Sequence, residues 1–149
     1  MSLYKVNSCG LSGIDGFIVN VESDVSNGLA AFEIVGLPDT AVKESKERIK
    51  SAIKNSQSDI YKKKIVVNLA PASEKKEGSG FDLPVALAIL GNEMEFSKVI
   101  TENSVFIGEL ALDGSTRKVS GILPMAICAF KNGIKNIFVP KENVKEASV

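Results

Sequence analysis

No histidine occurs anywhere in the 149 residues. That absence removes the side chain most often used as a general base near neutral pH and the commonest transition-metal ligand, and with it most hydrolase and zinc-site chemistries. Cysteine is scarce as well: Cys9 and Cys128 lie far apart and form no Cys-x-x-Cys motif. In a lysine-containing chain without a signal peptide they read as small buried hydrophobes of a reducing compartment. Charge of neither sign is in excess, since Lys plus Arg and Asp plus Glu both number 18, so no global field draws the chain to nucleic acid or to an anionic membrane. Any such contact has to be local. Long apolar runs are missing too; none approaches the ~20 residues that span a bilayer. The start, Met-Ser-Leu-Tyr-Lys-Val, lacks the charged-then-apolar order of an export signal. A cytoplasmic protein with no membrane contact is expected.

What is present is an ordinary globular composition, 44% apolar and 24% charged, at a length that builds one core without metals or disulfides. Residues 13–22 alternate apolar and polar side chains, break at Ser26-Asn27-Gly28 and resume over residues 29–35, which predicts a hairpin with an Asn-Gly turn. After Gly36-Leu37-Pro38-Asp39, apolar Val42, Ile49 and Ile53 among charged residues predict an amphipathic helix ending near Asn55, with Glu44–Arg48 and Glu47–Lys50 pairs on its outer side. Residues 64–71 read as a buried strand. A core helix from Asp82 to about Gly91 follows, with Asp82 as its cap and Pro84 in its first turn. The segment from Val105 to Val119 predicts a hairpin turning at Asp113-Gly114. A helix over residues 122–131, stopped by Asn132-Gly133, and a strand over 134–139 complete a strand–helix–strand rhythm, so the class is α/β with a mixed sheet. The last eight residues begin another helix without a C-cap, and the chain is expected to continue as part of a larger protein.

Three chemistries are open at the loops. Lys75-Lys76-Glu77-Gly78-Ser79-Gly80 before a helix resembles a phosphate cradle, but it lacks the glycine-lysine-serine ending of a P-loop, and Glu77 and Asp82 put negative charge where an anion would sit. A serine–lysine dyad at Ser79 needs a lysine buried enough to act as a base, whereas Lys75, Lys76 and Lys118 lie in polar, turn-rich sequence and read as solvated. Tyr61-Lys62-Lys63-Lys64, with Lys75 and Lys76 as neighbours, is a local basic cluster beside an aromatic that could hold DNA phosphates. Gly36, Pro38, Asp39, Gly78, Gly80, Phe81, Asp82 and Pro84 read as architectural: turn formers, caps and a core aromatic.

Four ordered motifs carry a family likeness: Val35-Gly36-Leu37-Pro38-Asp39-Thr40-Ala41-Val42-Lys43-Glu44-Ser45-Lys46-Glu47-Arg48; Asn68-Leu69-Ala70-Pro71-Ala72; Lys76-Glu77-Gly78-Ser79-Gly80-Phe81-Asp82-Leu83-Pro84; and Phe106-Ile107-Gly108-Glu109-Leu110 followed by Leu112-Asp113-Gly114. Through them nearly the whole chain resembles the ComM/YifB family of magnesium-chelatase-like AAA+ proteins. The resemblance implies a single Lon-protease-like domain placed before an AAA+ module and a C-terminal magnesium-chelatase-type region. It implies ATP and magnesium as cofactors of that module and none here, a homo-oligomeric ring, and DNA work such as branch migration in natural transformation. Laid on the Lon pattern, the catalytic serine falls on Gly80 and the catalytic lysine on Leu123, so the resemblance implies a domain without catalysis; a peptidase using Ser79 and another lysine is the alternative. Magnesium insertion into a tetrapyrrole is implied by the family label alone, and no histidine ligand supports it.

Overall fold

The structure is a computed structural model and describes residues 2–148. Strand β1 (Ser2–Ser12) pairs antiparallel with β2 (Asp15–Ser26) over its whole length, from Ser2 opposite Val25 to Ser12 opposite Asp15. Gly13 and Ile14 make the turn. Gly13 has φ 64°, the left-handed conformation that glycine adopts at the first position of a two-residue hairpin loop. Strand β3 (Ala31–Val35) does not pair with β2; it runs parallel to β4 (Lys64–Ala70), which inserts antiparallel between β2 and β3. The expected Asn27-Gly28 hairpin is therefore corrected. Both edges of β2 are already taken, one by β1 through the tight Gly13 turn and one by β4, whose alternating Ile65, Val67 and Leu69 are buried.

Helix α1 (Asp39–Asn55) provides the parallel crossover from β3 to β4 and buries Ser45, Ile49, Ala52 and Ile53, a helical stripe on one side. Helix α2 (Asp82–Met94) is apolar on most sides, as expected, and lies on the β1–β2 hairpin against Val6, Val19 and Val21. It runs one turn beyond Gly91. That glycine is a contact residue and not a stop: a Cβ there would fall within the Tyr4 ring, so its absence lets α2 settle on β1. Tyr4 donates its hydroxyl to the Phe96 carbonyl at 3.1 Å. A short helix α3 (Lys98–Glu102), unforeseen in the sequence, leads into β5 (Ser104–Phe106), which pairs parallel with β1.

The hairpin of β6 (Glu109–Leu110) and β7 (Thr116–Arg117) turns at Asp113-Gly114 as expected, although residues 104–106 belong to the main sheet. Helix α4 (Ile122–Lys131) packs on the face of β1 and β2 opposite α2, against Cys9 and Ile18. Strand β8 (Asn136–Phe138) closes the sheet in the order β3-β4-β2-β1-β5-β8, and a one-turn 3-10 segment leads to α5 (Val144–Ala147). The fold is thus a mixed α/β sheet with helices on both faces of the central hairpin. No helix among the described residues is long and apolar enough to cross a membrane.

Gly91→Ala tests the α2 docking. Alanine gains about 1 kcal/mol of helix propensity, but the overpacking against Tyr4 costs about 1–3 kcal/mol, so urea denaturation is expected to show a net loss of stability.

Candidate functional site

The four motifs meet around the loop of residues 71–81, between β4 and α2. Asp82 organises it. This residue is 0% exposed, and its carboxylate accepts hydrogen bonds from Ser45 Oγ (2.6 Å), Arg48 Nε (2.6 Å), Arg48 Nη2 (3.2 Å) and the Leu110 amide (3.1 Å). Asp82 is therefore not the α2 cap: Phe81 holds that position, and no side chain caps it. The carboxylate turns instead toward α1 and β6, where four donors converge. The hydrogen bond to Asp82, with the negative charges of Asp82, Glu109 and Glu44, holds the Arg48 guanidinium above its usual pKa, burial opposing. Of the pairs expected on α1, Glu44–Arg48 exists only at 4.0 Å, secondary to Asp82.

Lys76 also departs from expectation. It is 1% exposed, and its ammonium donates to the carbonyls of Pro71 and Glu74, the latter at 2.8 Å. Burial lowers its pKa below the usual 10.5, with Glu74 opposing. Lys76 is an internal strut of the loop and not a solvated lysine. Lys75 is exposed and pairs with Glu77 at 3.1 Å. A phosphate finds no seat here, since one lysine is spent on carbonyls, the other on a carboxylate, and Asp82 occupies the first turn of α2. Among the described residues, no cluster of three or more His, Cys, Asp or Glu side chains could hold a metal ion.

Beyond Lys76 the chain passes Gly78, at φ 86°, into a cleft of about 490 Å³ whose walls include Cys9, Ser79, Gly80, Ile107, Val119 and Ser120. A Cβ on Gly80 would stand 3.2 Å from Ile107 Cγ2 and 3.6 Å from Val119 Cγ1, so the position faces apolar wall. Backbone bonds pin it there: the Gly108 amide donates to the Gly80 carbonyl at 2.9 Å, and the Leu83 amide to Gly108 at 3.0 Å. Ser79 shares the cleft, but no hydrogen bond among the described residues joins its hydroxyl to a lysine, and no lysine lines the cleft. Leu123 lies elsewhere, in a second groove with Ala126, Phe130 and Ala147. Gly80 and Leu123 are not brought together.

Of the remaining motif residues, Gly36 at φ 103° packs on the Leu69 backbone, Pro38 precedes α1, and Asp39 opens α1 with favourable charge in its first turn. Phe81 and Pro84 are buried under the loop. Lys62, Lys63 and Lys64 are exposed at the entry to β4, where Lys62 pairs with Asp59 at 3.4 Å and lies over the Tyr61 ring. Lys75 and Lys76 follow the exit of the same strand, roughly 20 Å away for seven residues of strand. The basic cluster is therefore three lysines, not five. Asn143 went unforeseen: buried, it donates Nδ2 to the Val119 carbonyl (2.8 Å) and accepts from the Val119 amide (3.0 Å), securing the cleft wall. Arg48, expected on the outer side of α1, turns inward to Asp82, and Ser45, one turn before Ile49 on the buried stripe, was unforeseen as its companion.

The family described as subunit ChlI of Mg-chelatase matches residues 21–143. The chain belongs to that family. Over all 149 residues it is 40% identical to the competence protein ComM of Haemophilus influenzae and 40% identical to YifB of Escherichia coli, spanning 29% of each. A Lon protease of Finegoldia magna is 26% identical over 95% of the chain and 19% of that protein. The chain thus spans about three tenths of its ComM and YifB relatives, and its fold is the Lon-protease-like α/β domain. The ChlI-family assignment agrees with the ComM/YifB resemblance carried by the four motifs.

Asp82→Ala strands Arg48, Ser45 and the Leu110 amide together. Loss of one partner of a buried pair costs about 3–5 kcal/mol, and Arg48, with its side chain 23% exposed, recovers some hydration, so about 3 kcal/mol is expected in denaturant titrations. Lys76 supplies a pH signature. Its folded-state pKa is depressed, so the unfolded chain binds more protons between that value and 10.5, and stability gains with rising pH across that window. Unfolding free energies of wild type relative to Lys76→Met should therefore rise from neutral pH toward 10.5; a flat difference would contradict the burial.

Proposed function

We propose that this domain is a non-catalytic docking module of a ComM/YifB-like AAA+ ATPase, seated on its own ATPase module within a homo-oligomeric ring that processes DNA in the cytoplasm. The observation that carries the reading is the wall of the cleft. Where the Lon pattern calls for a nucleophile the chain has Gly80 packed toward Ile107 and Val119, and the surrounding cleft is lined by no lysine. A Ser79 peptidase would need its hydroxyl within about 3 Å of a partly buried amine, and the one buried lysine here, Lys76, is committed to two carbonyls. ATP and magnesium belong, in this reading, to the ATPase module and not to this domain. A role in natural transformation draws on the competence name of the Haemophilus influenzae relative, and branch migration on the ComM/YifB resemblance alone.

DNA contact is the second reading, favoured by three consecutive exposed lysines beside Tyr61. Asp59 offsets them, and Lys75 and Lys76 are separated from them by β4. Docking is therefore preferred over a DNA path.

Two assays on this chain decide the matter. Incubation with unfolded casein is expected to give no cleavage above buffer; cleavage abolished by Ser79→Ala would establish the peptidase. Fluorescent single-stranded and branched DNA at low salt is expected to bind weakly or not at all. Salt-sensitive binding lost when Lys62, Lys63 and Lys64 are changed to alanine would replace docking with a DNA path.

A further inference from the structure

The two cysteines, remote in sequence, converge on one face of the β1–β2 hairpin. Cys9 lies opposite Ile18 and Leu11 opposite Gly16. Residues opposite one another, and those two apart along a strand, share a face. Cys9, Leu11, Gly16 and Ile18 therefore line the face that α4 covers, and Gly16 is diagonal to Cys9. Gly16 leaves a gap that α4 fills: a Cβ there would stand 2.8 Å from both Cys128 Cβ and the Pro124 carbonyl oxygen. Without that glycine α4 could not sit so low, and Cys128 could not reach the diagonal beside Cys9. Asn132 Nδ2 donates to Cys128 Sγ at 3.5 Å and to the Cys128 carbonyl at 2.8 Å, fixing its orientation. Cys9, 2% exposed, also forms part of the wall of the 490 Å³ cleft, so the cleft is the side from which a small molecule approaches its sulfur.

We propose that Cys9 and Cys128 are a redox modification site, closing an internal disulfide when a hydroperoxide enters the cleft. The chemistry balances with hydrogen peroxide as oxidant. One sulfur attacks the O–O bond, giving a sulfenic acid and one water. The second sulfur displaces the sulfenic oxygen as a second water, and both thiol protons leave in the water formed. Two electrons pass from the sulfurs to the peroxide. The bond ties β1 to α4 and closes a loop of roughly 120 residues, restricting the unfolded chain. Burial, aided by Cys128, pushes the Cys9 thiol up to about 12, so Cys9 rests as the thiol and its attack on peroxide is slow.

The test uses the native chain with excess hydrogen peroxide, followed by thiol counting in denaturant and by intact and tryptic mass spectrometry without reductant. The expected result is a fall from two reactive thiols to none, a loss of about 2 Da for the two hydrogens removed, and a linked pair of tryptic peptides, 6–43 with 119–131, released by dithiothreitol. Oxygen adducts on separate cysteines, disulfide-linked dimers, or two thiols surviving a treatment that fully oxidises the denatured chain would each overturn the proposal.

Discussion

The site depends on one buried carboxylate. Asp82 sits at the first turn of α2, is fully enclosed, and gathers donors from α1 and from the β6 backbone. An ionised group in such a place loses several kcal/mol of hydration, and only convergent, well-aligned donors offset that loss. The arrangement therefore exists in essentially one geometry: move α1 by a residue and Ser45 and Arg48 leave together. Because α2 begins at Asp82, the same constraint places Phe81 and Gly80 immediately upstream. The cleft wall is a consequence of the network beneath it. Lys76 supports the other end of the loop in the same manner, its charge satisfied by two carbonyls of the chain it holds.

Legibility in the sequence follows the range of the interaction. Helices α1 and α4 were readable because helical spacing is a local property: Ile49 and Ile53 fall on one stripe, and Asn132-Gly133 stops the second helix. Strand β4 was readable because Ile65, Val66 and Val67 are β-branched and Pro71 ends the run. Strand pairing was not, since the choice between a local Asn27-Gly28 hairpin and the observed β4 insertion depends on a partner some forty residues away in sequence. The Gly13-Ile14 turn, a signal as short as Asn-Gly, settles only the β1 edge of β2, and the apolar face of β4 takes the other.

The site residues divide along the same line. Asp82 at a helix start obeys the local rule for a cap, and the rule fails because Arg48 and Leu110, 34 and 28 residues away, outbid the free amides of α2. Lysines among glycine and glutamate read as solvated, yet the loop wraps one of them and leaves its neighbour Lys75 outside. Gly80 lies against Ile107 and Val119 in the cleft. Leu123, the second residue of α4, lines another groove, and Val119 and Ser120 line the cleft instead.

Rigidity bears on function through what it leaves on the surface. A catalytic centre gains from a fixed backbone only if a nucleophile and a base stand on it within hydrogen-bond reach. Here the fixed backbone presents Gly80, Ile107 and Val119 beside a Ser79 hydroxyl that no lysine joins, and the groups behind them are already satisfied: Asp82 by its donors, Lys76 by its carbonyls, and the Val119 backbone by Asn143. Groups so satisfied have little left to offer a transition state, whose stabilisation requires interactions unmade in the ground state. They are well suited to presenting a constant shape. A recess of constant shape lowers the cost of ordering on association, and that is the physical argument for the docking role proposed for this domain.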